Sequence, residues 1–524
     1  MTKRILIALA IILALVFRIY DFGHIPPGVT DDESALGYNA YSLLLTGKDE
    51  YGKPWPILIR SFGTYASNLY SYMTVVPVKL FGLNTVSARL TSLISGLILV
   101  ILTIAALGPA TGFVVAVSPV FVFYSRAVFE TNLALALLFL GLVLAIRSAS
   151  RPKLLPLSFL LLSISAYAYH VERVLSLVLI AFISIHYWNA WKTRLGRQIV
   201  VFSLCLGLLV QVPLISISFT AGANSRVSTL ANQGSPLKKL IDYPFLYLSY
   251  FSPDNLFSRP DPEPRKSFPD LSAFYWWMFI PFIFGITKII ADKNYRSLTG
   301  KLLLVLLIVS PAIAATTRDY FSTWRALPMF VGFSWVISHG LAHLIGKKTW
   351  AYLFLGLIAA IELYSSLILQ KHERSSNWGF PYATLANFVK NTPHETIVID
   401  NARSSPIYIW LAFYNRYHPQ KFQSMSDQTW LNDYYNHVQF DLNKKFDNVD
   451  IRPVFWGNDV YIPQILIADE LGISSTQAKE HFLSLIGTIP DINGHPVLNI
   501  YRTDPHAKCL ATIAQPDPRC ASIP

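Results

Sequence analysis

Apolar runs of roughly twenty residues recur through the first 370 positions of the chain and then stop, the pattern of membrane-spanning helices. The windows fall at Ile5 to Tyr20 and then at 86–107, 109–124, 128–146, 153–169, 174–190, 198–219, 272–289, 302–316, 325–345 and 349–369, eleven in all. The first follows Lys3 and Arg4 with no small-residue cleavage site after it, so it reads as a retained span, with Arg18 snorkelling to the interface. The long connection 21–85 contains "DESALGYNAYSLLLTG" and "SNLYSYMTVVPVKLFG", each with apolar residues at helical spacing and a closing Gly. They predict two amphipathic helices lying on the membrane surface. A second connection, 219–271, holds "RPDPEPRK", whose prolines and charges end any span and predict a lid-like loop.

Past Gln370 the period changes. "YATLANFVKNT" and "STQAKEHFLSLIG" read as helices, and "ETIVID", "VYIPQILIADE" and "VLNIYRT" as short strands. The expected fold is a polytopic α-helical membrane protein of about eleven transmembrane helices over residues 1–370, followed by a small α/β domain over 371–524. Composition agrees, with 53% hydrophobic residues and only 14% charged.

Charge then orients the chain. With the N-terminus cytoplasmic, "RSASRPK", "WKTRLGRQ", "KIIADKNYRSLTGK" and "GKK" all face the cytoplasm and carry three, three, four and two basic residues. Merging the spans that meet at Gly108-Pro109 would turn every one of these connections outward, so the hairpin is kept. The loop 21–85 and the C-terminal domain are then extracytoplasmic. Much of the net charge of +12 lies in cytoplasmic connections that meet anionic lipid headgroups, the remainder on the outer face suits a phosphate-bearing substrate, and no nucleic acid is called for. Of three cysteines, Cys205 reads as packed within a span, while Cys509 and Cys520 lie in the outer tail, where a disulfide between them stays open.

On that outer face Asp31, Asp32 and Glu33 follow the first span. "FYSRAVFETN" brings Arg126 and Glu130, "YAYHVERV" brings His170, Glu172 and Arg173, and "ATTRDYFSTWRALP" brings Arg318, Asp319 and Arg325. Together these offer carboxylates for base chemistry and guanidiniums for a phosphate. Each group also has a plain alternative: Asp32 as a helix cap, Arg126 and Arg173 as interfacial anchors, His170 as a partner within the bundle. The outer face lacks an Asp-x-Asp doublet in its first loop and paired histidines at zinc spacing, so no essential metal is expected. For a divalent metal, Asp31 with Glu33 or His170 with Glu172 are the local candidates. His339 and His343 share a helix face on the other side of the membrane.

"DDESALGYNAYSLLLTGKDEYG" resembles the first-loop segment of the GT-C glycosyltransferases, in the branch of protein O-mannosyltransferases and the lipid A aminoarabinose transferase. "FYSRAVFETNLAL", "YLSYFSPDNLFS" and "PAIAATTRDYFSTWRALPM" are similar to segments at comparable places in bacterial members. The resemblance implies an inverting, mannosyltransferase-like enzyme. It would move a sugar from a polyprenyl-phosphate carrier to a protein hydroxyl, glycolipid or cell-envelope glycan at the outer face of the cell membrane. By position it implies Asp32 as general base with Glu33 beside it and Asp31 as the competitor. Arg126, Arg173, Arg318 and Arg325 are then expected at the donor phosphate, and Glu130, His170 and Glu172 as residues that order the site. Where relatives often carry a Gly-Asp pair, this chain has "RPDPEPRK". A lipid-linked-sugar flippase, or a non-catalytic scaffold, would share the architecture without needing Asp32.

Overall fold

The computed structural model describes residues 2–231, 234–403, 406–426, 429–439, 442–511 and 518–522. Parts of the lid-like loop (232–233) and of the cysteine tail (512–517) lie outside the described residues. Among the described residues six helices are long and apolar enough to cross a membrane: Thr85–Leu107, Glu130–Arg147, His170–Ala190, Arg194–Ile217, Leu327–Leu344 and Thr349–Glu373. They make the protein multi-pass. The remaining expected spans are shorter, more charged or interrupted. Pro152–Ser165, Trp276–Ala291 and Leu298–Ala314 are shorter apolar helices. Thr2–Ile19 carries Lys3, Arg4 and Arg18. The window 109–124 breaks at Ser118 into Pro109–Val117 and Pro119–Tyr124. The turn expected at Gly108-Pro109 is present, Gly108 taking a φ of +97° and Pro109 opening the next helix.

The break at Ser118 explains Arg18. Pro119 has no N–H to offer the Val115 carbonyl, and the Val120 N–H turns instead to Ala273 O at 3.3 Å. Arg18 donates to both orphaned carbonyls, to Ala116 O at 2.8 Å and Val115 O at 3.2 Å, and to Ser125 Oγ at 3.1 Å. It is fully buried, a correction to the interfacial position expected of it.

The two loop helices differ in fate. Leu69–Phe81 leaves Met73, Val76 and Leu80 exposed along one stripe, as expected of an interfacial helix. Asp31–Thr46 does not lie on a surface: every residue from Glu33 to Ala40 is buried. It is wedged between Thr85–Leu107 and Ile407–Tyr414. A Cβ on Gly37 would stand 2.8 Å from the Phe413 ring and 3.3 Å from Ala88 Cβ, so only glycine admits this approach.

Beyond residue 370, six strands form one sheet in the order Lys444–Phe446, Val449–Ile451, Ile397–Ile399, Ile465–Ala468, Pro496–Arg502, Ser484–Pro490. Ile397–Ile399 pairs in parallel with both neighbours, and the other three pairings are antiparallel. The helix expected over "STQAKEHFLSLIG" stops at Glu480 and its end joins strand Ser484–Pro490, because Phe482 turns to φ +57°. One core cluster runs from Val29, Leu36 and Tyr38 through Leu133 to Ile397, Ile409 and Ile500, so the sheet and the first loop share an interior. Cys509 and Cys520 are joined in a disulfide.

Candidate functional site

"TDDE" builds the head of the site. Thr30 caps helix Asp31–Thr46, its Oγ1 accepting from Glu33 N at 3.1 Å, while Glu33 Oε2 accepts from Thr30 N at 3.0 Å. This reciprocal box sets the first turn and aims three acids in different directions. Glu33 is turned inward. Arg89, from the start of span Thr85–Leu107, grips both its oxygens at 2.8 and 3.0 Å, and Val128 N donates to it at 2.9 Å. Arg89 itself also reaches Pro26 O at 2.9 Å and Gly28 O at 2.7 Å, so the pair pins the loop entrance to the bundle. Asp31 pairs with Arg265 at 3.1 Å. Burial, then the charge of Asp32, push its carboxyl up to about 6 against the pull of Arg265. Asp32 is exposed and faces a cleft.

That cleft has a volume of about 260 Å³. Asp32, Glu130, Glu263 and Asp319 meet Arg265, Lys266, Arg318 and Arg325 across it, with Trp324 and Trp378 as apolar walls. The segment around Arg265 and Lys266 is held by Asp261, which accepts from Thr323 N and Oγ1 at 2.8 Å each and from Glu263 N at 3.0 Å. Lys266 Nζ stands 3.3 Å from Asp319 and 4.8 Å from the centre of the Trp324 ring. Arg325 Nη1 reaches the same Asp319 oxygen at 2.5 Å and Thr317 Oγ1 at 3.0 Å. Burial raises the Asp319 carboxyl, but the charges of Arg325 and Lys266 outweigh it and hold the group below the ordinary carboxylate range. An acidic oxygen thus occupies the point on which two cations converge.

A second, more apolar cavity of about 140 Å³ adjoins the first through Glu130, which opens helix Glu130–Arg147 and lines both. His170 and Arg173, in the first turn of His170–Ala190, line it with Tyr65, Tyr169 and Thr317. Arg173 Nη2 donates to Ser67 Oγ at 3.1 Å.

Three expected site residues line neither cavity, among them Asp31, which meets the cleft only through Arg265. Arg126 is buried and lines neither cavity. Its guanidinium donates to Phe17 O at 2.9 Å, Arg18 O at 3.3 Å, Tyr20 O at 2.7 Å and Ile25 O at 3.1 Å, so it closes the end of the first helix. Glu172, in the first turn of its span, is fully buried and also lines neither. Sequence reasoning passed over Arg89, although an arginine inside an apolar window is itself a signal. It also passed over Arg265 and Lys266, an adjacent basic pair in "RPDPEPRK". Among the described residues no group of three or more His, Cys, Asp and Glu side chains is placed to hold a metal ion.

No protein-family model and no curated protein matches the sequence. Solved structures do match the fold. ArnT from Cupriavidus metallidurans, in the apo state, aligns with a TM-score of 0.56 at 14% identity, covering 94% of this chain and 97% of that one. The same protein bound to undecaprenyl phosphate aligns at 0.55. The Archaeoglobus fulgidus oligosaccharyltransferase, in a structure with Zn and sulfate, aligns at 0.43 and 12% identity over 91% of this chain and 69% of that one. With 94% of this chain and 97% of ArnT covered at these TM-scores, the chain has the fold seen in ArnT.

Proposed function

We propose that the protein is an inverting glycosyltransferase that takes a sugar from a polyprenyl-phosphate carrier, at the outer face of the cell membrane, and passes it to an acceptor hydroxyl or amine. The observation that carries this reading is Asp32 facing Lys266, Arg318 and Arg325 across one cleft. The Asp32 carboxylate takes the acceptor proton as the acceptor atom bonds to the anomeric carbon from the face opposite the phosphate. The bond from that carbon to the phosphate oxygen breaks, and its electron pair leaves on the polyprenyl phosphate. Lys266, Arg318 and Arg325 meet the charge that develops there, an electrostatic task suited to cations that line one cleft. Asp319 holds two of these cations until a phosphate replaces it. Glu130, at the junction of the two cavities, stands between donor and acceptor sides, and His170 and Arg173 contact the second ligand. ArnT, whose structure binds undecaprenyl phosphate, supports a lipid-phosphate donor. Mannose is the sugar to try first, and protein hydroxyls, glycolipids and envelope glycans are the acceptors. The test is transfer of radiolabel from polyprenyl-phosphate mannose, and from a panel of other sugars, to envelope extracts by wild type and Asp32→Asn in membranes. Labelled product from wild type alone supports the reading; equal product from both removes Asp32 as the base.

A further inference from the structure

At the ends of spans His170–Ala190 and Arg194–Ile217 away from the cleft, an open groove of about 740 Å³ runs between the two helices. At a rise of 1.5 Å per residue it stands roughly 30 Å from His170. Lys192, Arg194 and Arg197 form its mouth, and Val201, Phe202 and Cys205 its wall. Positions 194, 197, 201, 202 and 205 share one helical face, so a single stripe passes from charge to apolar surface. Trp188 closes the opposite side, with the Arg197 guanidinium 5.0 Å from its ring centre. Trp188 and Phe202 stay exposed at 43% and 61%, and Cys205, expected to be packed, is exposed as well. No acidic residue occurs in the sequence from Arg173 to Ile241, and among the described residues none of the three cations forms an ion pair. The N-terminal end of helix Arg194–Ile217 adds its own positive potential here.

We propose that this groove binds an anionic diacyl phospholipid, with phosphatidylglycerol chemistry, from the leaflet opposite the cleft. The phosphate accepts from Lys192, Arg194 and Arg197, and an acyl chain lies against Phe202 and Cys205. A zwitterionic headgroup brings a further cation into a mouth that already holds three. From Arg194 to Cys205 the stripe is roughly 16 Å long, about half the hydrocarbon thickness, which suits a chain confined to one leaflet better than a long polyprenyl chain.

The experiment uses the full chain in mild detergent with equimolar phosphatidylglycerol, phosphatidylcholine and a polyprenyl phosphate, reading retained lipid by native mass spectrometry. Phosphatidylglycerol is expected to dominate. Lys192→Gln, Arg194→Gln and Arg197→Gln are each expected to lower its retention about fivefold. Phe202→Ser is expected to weaken it with the charges intact, and Lys347→Gln with Lys348→Gln, at another basic connection, to leave it unchanged. Equal retention of phosphatidylcholine, preference for the polyprenyl phosphate, competition by free glycerol phosphate at equal concentration, or an equal loss in the Lys347/Lys348 control would each overturn the proposal.

Discussion

Three adjacent carboxylates have three fates, and each sets an expected outcome. Asp32 is open to the cleft, so Asp32→Asn should lower sugar transfer roughly 10²- to 10⁴-fold, the range for loss of a general base, with the melting temperature unchanged. Asp31, already held by Arg265, should cost much less on the same change. Glu33→Gln instead strands the Arg89 guanidinium in the interior; breaking a buried pair costs about 3–5 kcal/mol, which thermal unfolding and the yield of folded protein will show. Asp319 behaves as an internal anion on Lys266 and Arg325. Asp319→Asn should therefore tighten binding of a polyprenyl phosphate, measured by calorimetry, and weaker binding would mean that Asp319 instead positions the two cations.

Among the elements, helix Asp31–Thr46 and the turn after it decide how the membrane part meets the sheet. Tyr38 Oη donates to Tyr417 O at 2.8 Å, and Gln423 Nε2 to Asp49 O at 2.9 Å. The buried Asp49 carboxylate accepts from Lys53 N at 2.8 Å, Tyr51 N at 3.0 Å and the Tyr434 hydroxyl. Beside it, burial and then the Asp49 charge push Glu50 up to about 8, with Lys444 only partly opposing. In the unfolded chain a glutamate loses its proton near pH 4.3. The folded state thus keeps a proton that the unfolded chain has lost, and the stability this provides, complete at low pH, disappears as pH rises through about 8. Glu50→Gln should match wild type in melting temperature at pH 4 and exceed it at pH 9. Curves that stay parallel across that range would rule Glu50 out as the group responsible.

At the scale of the whole molecule, cleft chemistry and basic connections sit at opposite ends of the same spans. Glu130 opens its helix at the cleft and His170 at the adjoining cavity, and Arg147 and Lys192 lie at the far ends. The shared core has a further consequence. Removing residues 371–524 would uncover Val29, Leu36 and Tyr38 together with Leu133, an apolar patch with nothing to cover it. A chain ending at 370 should aggregate, as judged by size-exclusion of a fluorescent fusion. A monodisperse truncated protein would show that the membrane part closes its core alone.

Hydropathy, net charge and turn chemistry are written in neighbouring residues, so the sequence by itself determined the apolar windows, the basic connections, the hairpin at Gly108 and the polar tail. It also determined which residue types gather near the cleft: Asp32, Glu130, His170, Arg173, Arg318 and Arg325 all line the two cavities. What it left open were choices among chemically equal groups. Whether a carboxylate or guanidinium meets a ligand or closes a structural gap depends on partners far along the chain. Arg89 lies 56 positions from Glu33, and Arg265 lies 234 from Asp31. Arg126 resembles a phosphate ligand until the carbonyls it caps, 101 to 109 positions back, come into view. The amphipathic pattern of Asp31–Thr46 suited a membrane surface as well as a protein interior, and packing against Phe413 and Ala88 selected the interior. Tertiary structure alone decided these points, because hydrogen bonds and buried ion pairs are satisfied in space and carry no local period.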